Sequence, residues 1–108
     1  MRKARVLYKE EVAAELIQND GGDFVFRYLE EWLTNPSRPS VSLTLPKSQK
    51  EYRSKTLFSF FYNMLPEGSN KKTVCFQNRI DENDAFGVLL TTAAHDTIGA
   101  VTIERFDS

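Results

Sequence analysis

The stretch Thr56–Gly68, TLFSFFYNMLPEG, places an aromatic-rich run directly before a Leu-Pro-Glu-Gly sequence of the kind that ends a helix. The run predicts a helix that opens at Lys55 or Thr56 and continues to about Leu65. A core helix needs one apolar stripe, whereas this one carries apolar side chains around most of its circumference. Two arrangements satisfy that pattern: burial on several sides, or one face that binds another protein.

The residues before this run predict an antiparallel meander of three strands, Arg5–Tyr8, Val12–Ile17 and Asp23–Leu29. Lys9–Glu11 allows the first turn. Asn19–Gly22 is a strong second turn, because Asn, Asp and Gly adopt positive φ at low cost. Phe24, Phe26 and Tyr28 alternate with other residues along the third strand, so one of its faces is aromatic.

The later part of the chain predicts further strands and helices. The alternation of Val41–Leu45 indicates a strand that ends at Pro46, and Lys47–Ser54 is expected to be a charged connector. Two helices are predicted after the aromatic run: Lys71–Ile80, whose apolar stripe is less regular, and Ala85–Ala94. The final predicted strand is Thr97–Phe106. The predicted class is α+β, a small antiparallel sheet (the meander plus later strands) packed with about three helices.

The length and the net charge of the chain limit the functions that it can have. A chain of 108 residues with net charge −1 is expected to form one domain over residues 1–108, without a field strong enough to hold nucleic acid. The basic cluster Lys47, Lys50, Arg53 and Lys55 is interrupted by Glu51 and is expected to be a solvated loop. No signal peptide or membrane-length apolar run is present, so we expect a cytoplasmic protein.

The sequence offers no pattern for catalysis, so we expect no enzyme and no catalytic, cofactor-binding or metal-binding residues. The lone histidine, His95, is expected to be a capping or loop residue, and the lone cysteine, Cys75, a buried structural thiol. Glycine-rich nucleotide loops and metal-ligand spacings are absent. Trp32, the single tryptophan, suits core packing better than partner contact, although both remain open. The sequence therefore predicts a protein-binding module.

Four segments, in order along the chain, carry a family resemblance: Tyr28–Leu33, Arg38–Pro46, Phe60–Gly68 and Asp96–Val101. They are similar to the "YxxxWL", "RPLSLSLP", "FFxNLLPEG" and "DxxGAV" segments of the N-terminal subdomain of HipA-type toxin kinases, with Val41 in place of a usual leucine. The 108 residues hold no counterpart of the kinase body that follows this subdomain in the family, so a free-standing subdomain is expected. The chain therefore resembles the free-standing form, called HipS, of three-part toxin–antitoxin systems of the HipBST type.

The resemblance implies an antitoxin that binds and neutralises a HipA- or HipT-like serine/threonine kinase through a protein–protein interface. It also implies a ternary complex with a HipB-like DNA-binding protein, without direct contact to nucleic acid or membrane. The alternative is a non-inhibitory structural subunit that links the kinase to its HipB-like partner. Inhibition could block the active site, hold the kinase open or occlude ATP.

A subdomain cut from a larger protein should keep the surface with an apolar centre and a polar rim that it used against the rest. The predicted partner-binding residues are Phe61, Met64, Leu65, Pro66, Glu67 and Trp32. Some of these must also pack the core of the domain. We expect alanine at Met64 and at Glu67 to weaken kinase binding without unfolding the domain.

Overall fold

A computed structural model describes residues 1–65, 68–92 and 100–106. Its centre is a five-stranded sheet in the spatial order β4-β3-β2-β1-β5, with every neighbouring pair antiparallel. The strands are β1 (Arg2–Tyr8), β2 (Glu11–Gln18), β3 (Phe24–Tyr28), β4 (Glu51–Ser54) and β5 (Val101–Arg105). The helices are α1 (Glu30–Thr34), α2 (Ser59–Tyr62), α3 (Gly68–Asn78) and α4 (Ala85–Thr92). The α+β class is thus confirmed. Within the described residues, no helix has the length and apolar character needed to cross a bilayer.

The predicted meander is confirmed, and its two turns differ in backbone strain. Lys9 and Glu10 both have positive φ, 49° and 70°, in the two-residue turn between β1 and β2. That geometry matches the right-handed twist of a hairpin but suits Asn-Gly better than Lys-Glu. At the second turn Gly22 takes φ 93°, and its N–H donates to the Asn19 carbonyl at 2.9 Å.

One face of the sheet forms the core together with all four helices. The aromatic face predicted for β3 is confirmed, because Phe24, Phe26 and Tyr28 are all buried. Each helix adds at least one buried side chain to the same cluster: Trp32 from α1, Phe61 from α2, Cys75 from α3, and Phe86, Val88 and Leu89 from α4.

The opposite face of the sheet carries a row of alternating charge across all five strands. Register places Glu104, Arg5, Glu15, Arg27 and Glu51 side by side in that order. The row is closed at its ends by ion pairs, Arg5–Glu104 at 3.3 Å and Arg27–Glu51 at 2.8 Å. Opposite charges on neighbouring strands support the register. The same face also carries two buried apolar residues, Ile17 and Val25, which pair with each other.

The segment between β3 and β4 departs from the sequence prediction. Residues 41–45 form a turn closed by a single bridge between Ser42 and Leu45, and they do not form a strand. Val41 and Leu45 are buried while Leu43 is 99% exposed, so the alternation that suggested a strand arises in a tight loop. The strand β4 lies instead within the predicted connector, where it covers the free edge of β3.

The predicted helix over 55–65 is also wrong in extent, because α2 spans only four residues. Phe58 is extended at φ −57° and ψ 141°, and the Thr56 N–H bonds to the Ser54 hydroxyl instead of entering a helix. After Tyr62 the N–H groups of Met64 and Leu65 bond three residues back, so the chain tightens into turns. Aromatic residues lose side-chain freedom in a helix, and four of the residues from Phe58 to Tyr62 are aromatic.

The last two helices were predicted with different bounds. α3 begins earlier than Lys71 and ends at Asn78, since Arg79 takes φ 56° and leaves the helix. α4 starts at Ala85 as predicted, and its described part ends at Thr92. The predicted residues 93–94 of this helix, residues 97–99 of the last strand, and His95 lie outside the described residues.

Candidate partner-binding site

The segment Leu57–Leu65 turns one side into the core. Phe61 is fully buried, and its ring centroid lies 5.8 Å from that of Phe26 and 5.2 Å from that of Phe60. Met64 and Leu65 are each 8% exposed and belong to the same core cluster. Burial of each such side chain contributes about 1.5–3 kcal/mol to folding. These residues therefore hold the segment on the sheet.

The other side of the same segment faces solvent. Tyr62 is 56% exposed, and Ser59 and Asn63 are exposed beside it. Together with Lys55 and Asn83 they line an open concavity of about 520 Å³ between α2 and the start of α4. The segment is thus neither buried on every side nor apolar around its whole circumference, because its outer face carries hydroxyl, amide and aromatic groups.

Trp32 is a core residue with one polar tie. The residue is 4% exposed, and its indole N–H donates to the Pro39 carbonyl at 2.8 Å. The Arg38 guanidinium lies 5.2 Å from the ring centroid and also pairs with Glu11 at 2.6 Å. The preference for core packing is confirmed, and the indole orders the loop after α1 by satisfying one of its carbonyls.

The structure separates the six predicted partner-binding residues into two groups. Phe61, Met64, Leu65 and Trp32 are buried, and Pro66 and Glu67 lie outside the described residues. Contact of any of them with a partner stays a prediction. Because Met64 is in the core, its replacement by alanine should cost about 2–5 kcal/mol of stability, so it cannot report on binding alone.

Two exposed apolar side chains were not singled out from the sequence. Leu43 is 99% exposed in the loop before β4, and Phe76 is 86% exposed on α3. A sequence signal for Phe76 existed. Adjacent residues on a helix point about 100° apart, so Cys75 and Phe76 cannot both lie at the centre of one buried stripe. Cys75 is the buried one, as predicted for a structural thiol.

Charged groups in the described part of the chain act as structural ties. The Arg2 guanidinium lowers the pKa of Asp84 by donating two hydrogen bonds to its carboxylate, at 2.9 and 2.6 Å. Hydrogen bonds from Arg27 and then Arg53 lower the pKa of Glu51. Lowered pKa values keep these carboxylates ionised at neutral pH, which does not suit a general acid. Residues 1–65, 68–92 and 100–106 bring together no group of side chains able to hold a metal ion.

Similarity to known proteins covers nearly the whole chain. The family described as the HipA N-terminal domain matches residues 4–104. A Haemophilus influenzae protein, described only as uncharacterized, is 35% identical over 90 residues, which are 83% of this chain and 80% of that protein. A solved structure, described as the N-terminal domain of HipA toxin, matches with a TM-score of 0.68 and 28% identity. The match covers 99% of this chain and 94% of that one.

Sheet and helices define a small α+β domain of the kind found at the N-terminus of HipA toxin. The chain belongs to the HipA N-terminal domain family. This family domain is a non-catalytic subdomain, and membership implies association with HipA-type proteins.

Proposed function

We propose that this chain is a HipS-like antitoxin that binds and neutralises a HipA- or HipT-like serine/threonine kinase toxin in the cytoplasm. The observation that carries the proposal is the match of 99% of the chain to a domain of a HipA toxin. A domain that is part of a toxin chain in one protein has a surface already suited to that toxin. A separate chain of the same fold can supply the same surface in trans.

Exposed apolar groups support a binding role. Tyr62 and Phe76 are 56% and 86% exposed, so a large part of each ring is not buried by the fold of the free chain. Burial of such a side chain against a partner contributes about 1.5–3 kcal/mol. Neutralisation additionally requires that the chain binds the inactive kinase more tightly than the active one, since equal affinity for both states shifts nothing.

The test uses a HipA-type kinase that lacks its own domain of this family. Purified chain is titrated into a phosphorylation assay, and the same pair is co-expressed in bacteria. We expect phosphorylation to fall in proportion to complex formed and growth to recover. A complex with undiminished phosphorylation would instead favour the structural subunit, tested by its ability to join the kinase to a HipB-like protein. Absence of a complex at micromolar concentrations would refute the proposal.

A further inference from the structure

The helix α3 has two distinct faces. Its only buried residue among those with a described side chain is Cys75, flanked by half-buried Lys71 and Val74. The other face is formed by Lys72 and Phe76, which are four residues apart, and by Arg79 three residues further on. The helical spacing aligns Lys72 with Phe76. Arg79, just past the end of the helix, borders the same concavity as these two residues. We call Lys72, Phe76 and Arg79 the α3 surface.

The α3 surface combines an exposed aromatic ring with two cations, Lys72 and Arg79. Neither Lys72 nor Arg79 makes an ion pair with any residue in the described ranges. Six described side-chain cations form ion pairs, namely Arg2, Arg5, Arg27, Arg38, Lys50 and Arg53. Within that part of the chain, Lys72 and Arg79 share the lack of an ion pair with Lys3, Lys9, Lys47, Lys55, Lys71 and Arg105, and they differ from these in bordering the exposed Phe76 ring. Phe76 and Ile80 line an open concavity of about 850 Å³ that Lys72, Arg79 and Glu82 also border. An aromatic anchor with a charged rim is the composition of an interface hot spot.

Arg79 ends α3 in a left-handed backbone conformation, with φ 56°. The Ile80 N–H donates to the Cys75 carbonyl at 2.9 Å, and the Arg79 N–H donates to the Phe76 carbonyl at 3.3 Å. This is the Schellman arrangement, whose left-handed position favours glycine. An arginine here opposes the local backbone preference by about 1 kcal/mol. Arg79 therefore places a cation beside the exposed Phe76 ring in spite of a local backbone cost.

We propose that the α3 surface docks on an acidic face of the HipA-type kinase, with the Phe76 ring seated in an apolar pocket between carboxylates that pair with Lys72 and Arg79. This rests on the function proposed above. The chemistry of the partner follows from the two cations, against which Glu82 supplies the single acid bordering the concavity. A complementary acidic face speeds encounter and fixes orientation, while burial of the ring slows dissociation.

The experiment measures binding kinetics of the purified chain to the same HipA-type kinase at low and high salt. Phe76→Ala should weaken binding about 30-fold or more, mainly through faster dissociation. The double reversal Lys72→Glu with Arg79→Glu should slow association about tenfold at low salt, and the difference should shrink as salt rises. Leu43→Ala is the matched control, since it removes another exposed apolar side chain away from α3, and it should leave both rates unchanged.

Folding is checked by circular dichroism and thermal unfolding, which these exposed substitutions should leave near the parent values. If the parent binds and inhibits the kinase while both α3 variants bind equally well, the α3 surface is wrong and the antitoxin function stands. If Phe76→Ala lowers only self-association of the free chain, the surface joins two copies and the proposal is overturned. If the parent does not bind, the proposed function and this inference fail together.

Discussion

The hydroxyl of Tyr28 accepts a hydrogen bond from the backbone N–H of Val41 at 2.9 Å. The same hydroxyl donates to the Leu45 carbonyl, so one buried side chain of β3 holds both ends of the loop that exposes Leu43. Burial raises the pKa of Tyr28, which keeps the hydroxyl protonated and able to donate. The loop is therefore positioned by a polar tie inside an otherwise apolar core.

Replacement of Tyr28 by phenylalanine should destabilise the domain by about 1–3 kcal/mol, because a buried N–H and a buried carbonyl lose their partner without gaining water. The measurement is the urea unfolding midpoint. Tyr52→Phe is the matched control, since the Tyr52 hydroxyl bonds the Pro46 carbonyl at 2.6 Å in an exposed setting. If the two substitutions lowered the free energy of unfolding equally, burial would not determine how much the Tyr28 hydrogen bonds contribute to stability.

The pair of Arg2 and Asp84 predicts a dependence of stability on pH. Because the pKa of Asp84 is lowered from its ordinary value of 3.8, its contribution is present above that pH and is lost as pH falls through the folded value. Asp84→Asn keeps a side chain able to cap α4 but removes the charge. We expect a loss of about 0.5–1 kcal/mol at pH 7, limited by solvent screening of this partly exposed pair.

The loss should begin to shrink as pH falls below 3.8, where the unfolded chain takes up the proton, and it should approach zero below the lowered pKa of the folded state. Chemical unfolding at pH 7, 5 and 3 measures it. Asp81→Asn serves as control, because Asp81 only accepts the Asn83 N–H at 2.9 Å, a bond that asparagine can keep. A penalty for Asp84→Asn that stays constant over this range would mean that the ion pair is not its source.

Gly87 is needed for space beside Asp84. A Cβ at Gly87 would lie 2.4 Å from the Asp84 Oδ2 and 3.0 Å from its Cγ. Asp84 caps α4 by accepting the Gly87 N–H at 3.2 Å, so a methyl group would displace both the cap and the Arg2 pair. Gly87→Ala should therefore destabilise by about 0.5–1.5 kcal/mol, although alanine alone favours a helix by about 0.5–1 kcal/mol.

The sign should reverse once the carboxylate is removed. In an Asp84→Ala background the same Gly87→Ala change should stabilise the domain, because its collision is gone and the helical preference remains. Thermal unfolding of the four proteins of this cycle provides the measurement. Destabilisation in both backgrounds would locate the conflict elsewhere, for example at Ile80, whose Cγ2 would be 3.4 Å from the added atom.

The sheet could be predicted from the sequence where periodicity and turn chemistry agree. The aromatic alternation of β3 and the Asn19–Gly22 turn both point to one register, and the observed pairing follows it. The strand predicted at Val41–Leu45 fails for a physical reason. Its buried ends are held by the Tyr28 hydroxyl, a contact between distant residues that no local pattern reveals.

The candidate site was harder to predict, because the amino-acid composition of a helix does not show which of its side chains face the core and which face solvent. Phe61 and Phe76 are both aromatic and both helical, yet the first is fully buried and the second is 86% exposed. The difference comes from which side of a short helix meets the sheet. The aromatic residues around Phe61 serve core packing, since the Phe61 ring packs against Phe26. The more exposed ring, Phe76, belongs to α3, which has few apolar residues.

Arg79 combines backbone strain with a proposed binding role, so it predicts opposite effects on stability and affinity. Arg79→Gly should raise the free energy of unfolding by about 1 kcal/mol, because glycine adopts the left-handed conformation without steric cost. The same change should weaken binding to the HipA-type kinase several-fold at low salt, since one cation of the α3 surface is gone. Arg79→Lys keeps both the charge and the strain, and it should leave stability and affinity near the parent values. Calorimetric unfolding and kinase titration on the three proteins measure both effects. A glycine variant that gains stability and binds as tightly as the parent would show that the arginine side chain has no role in docking.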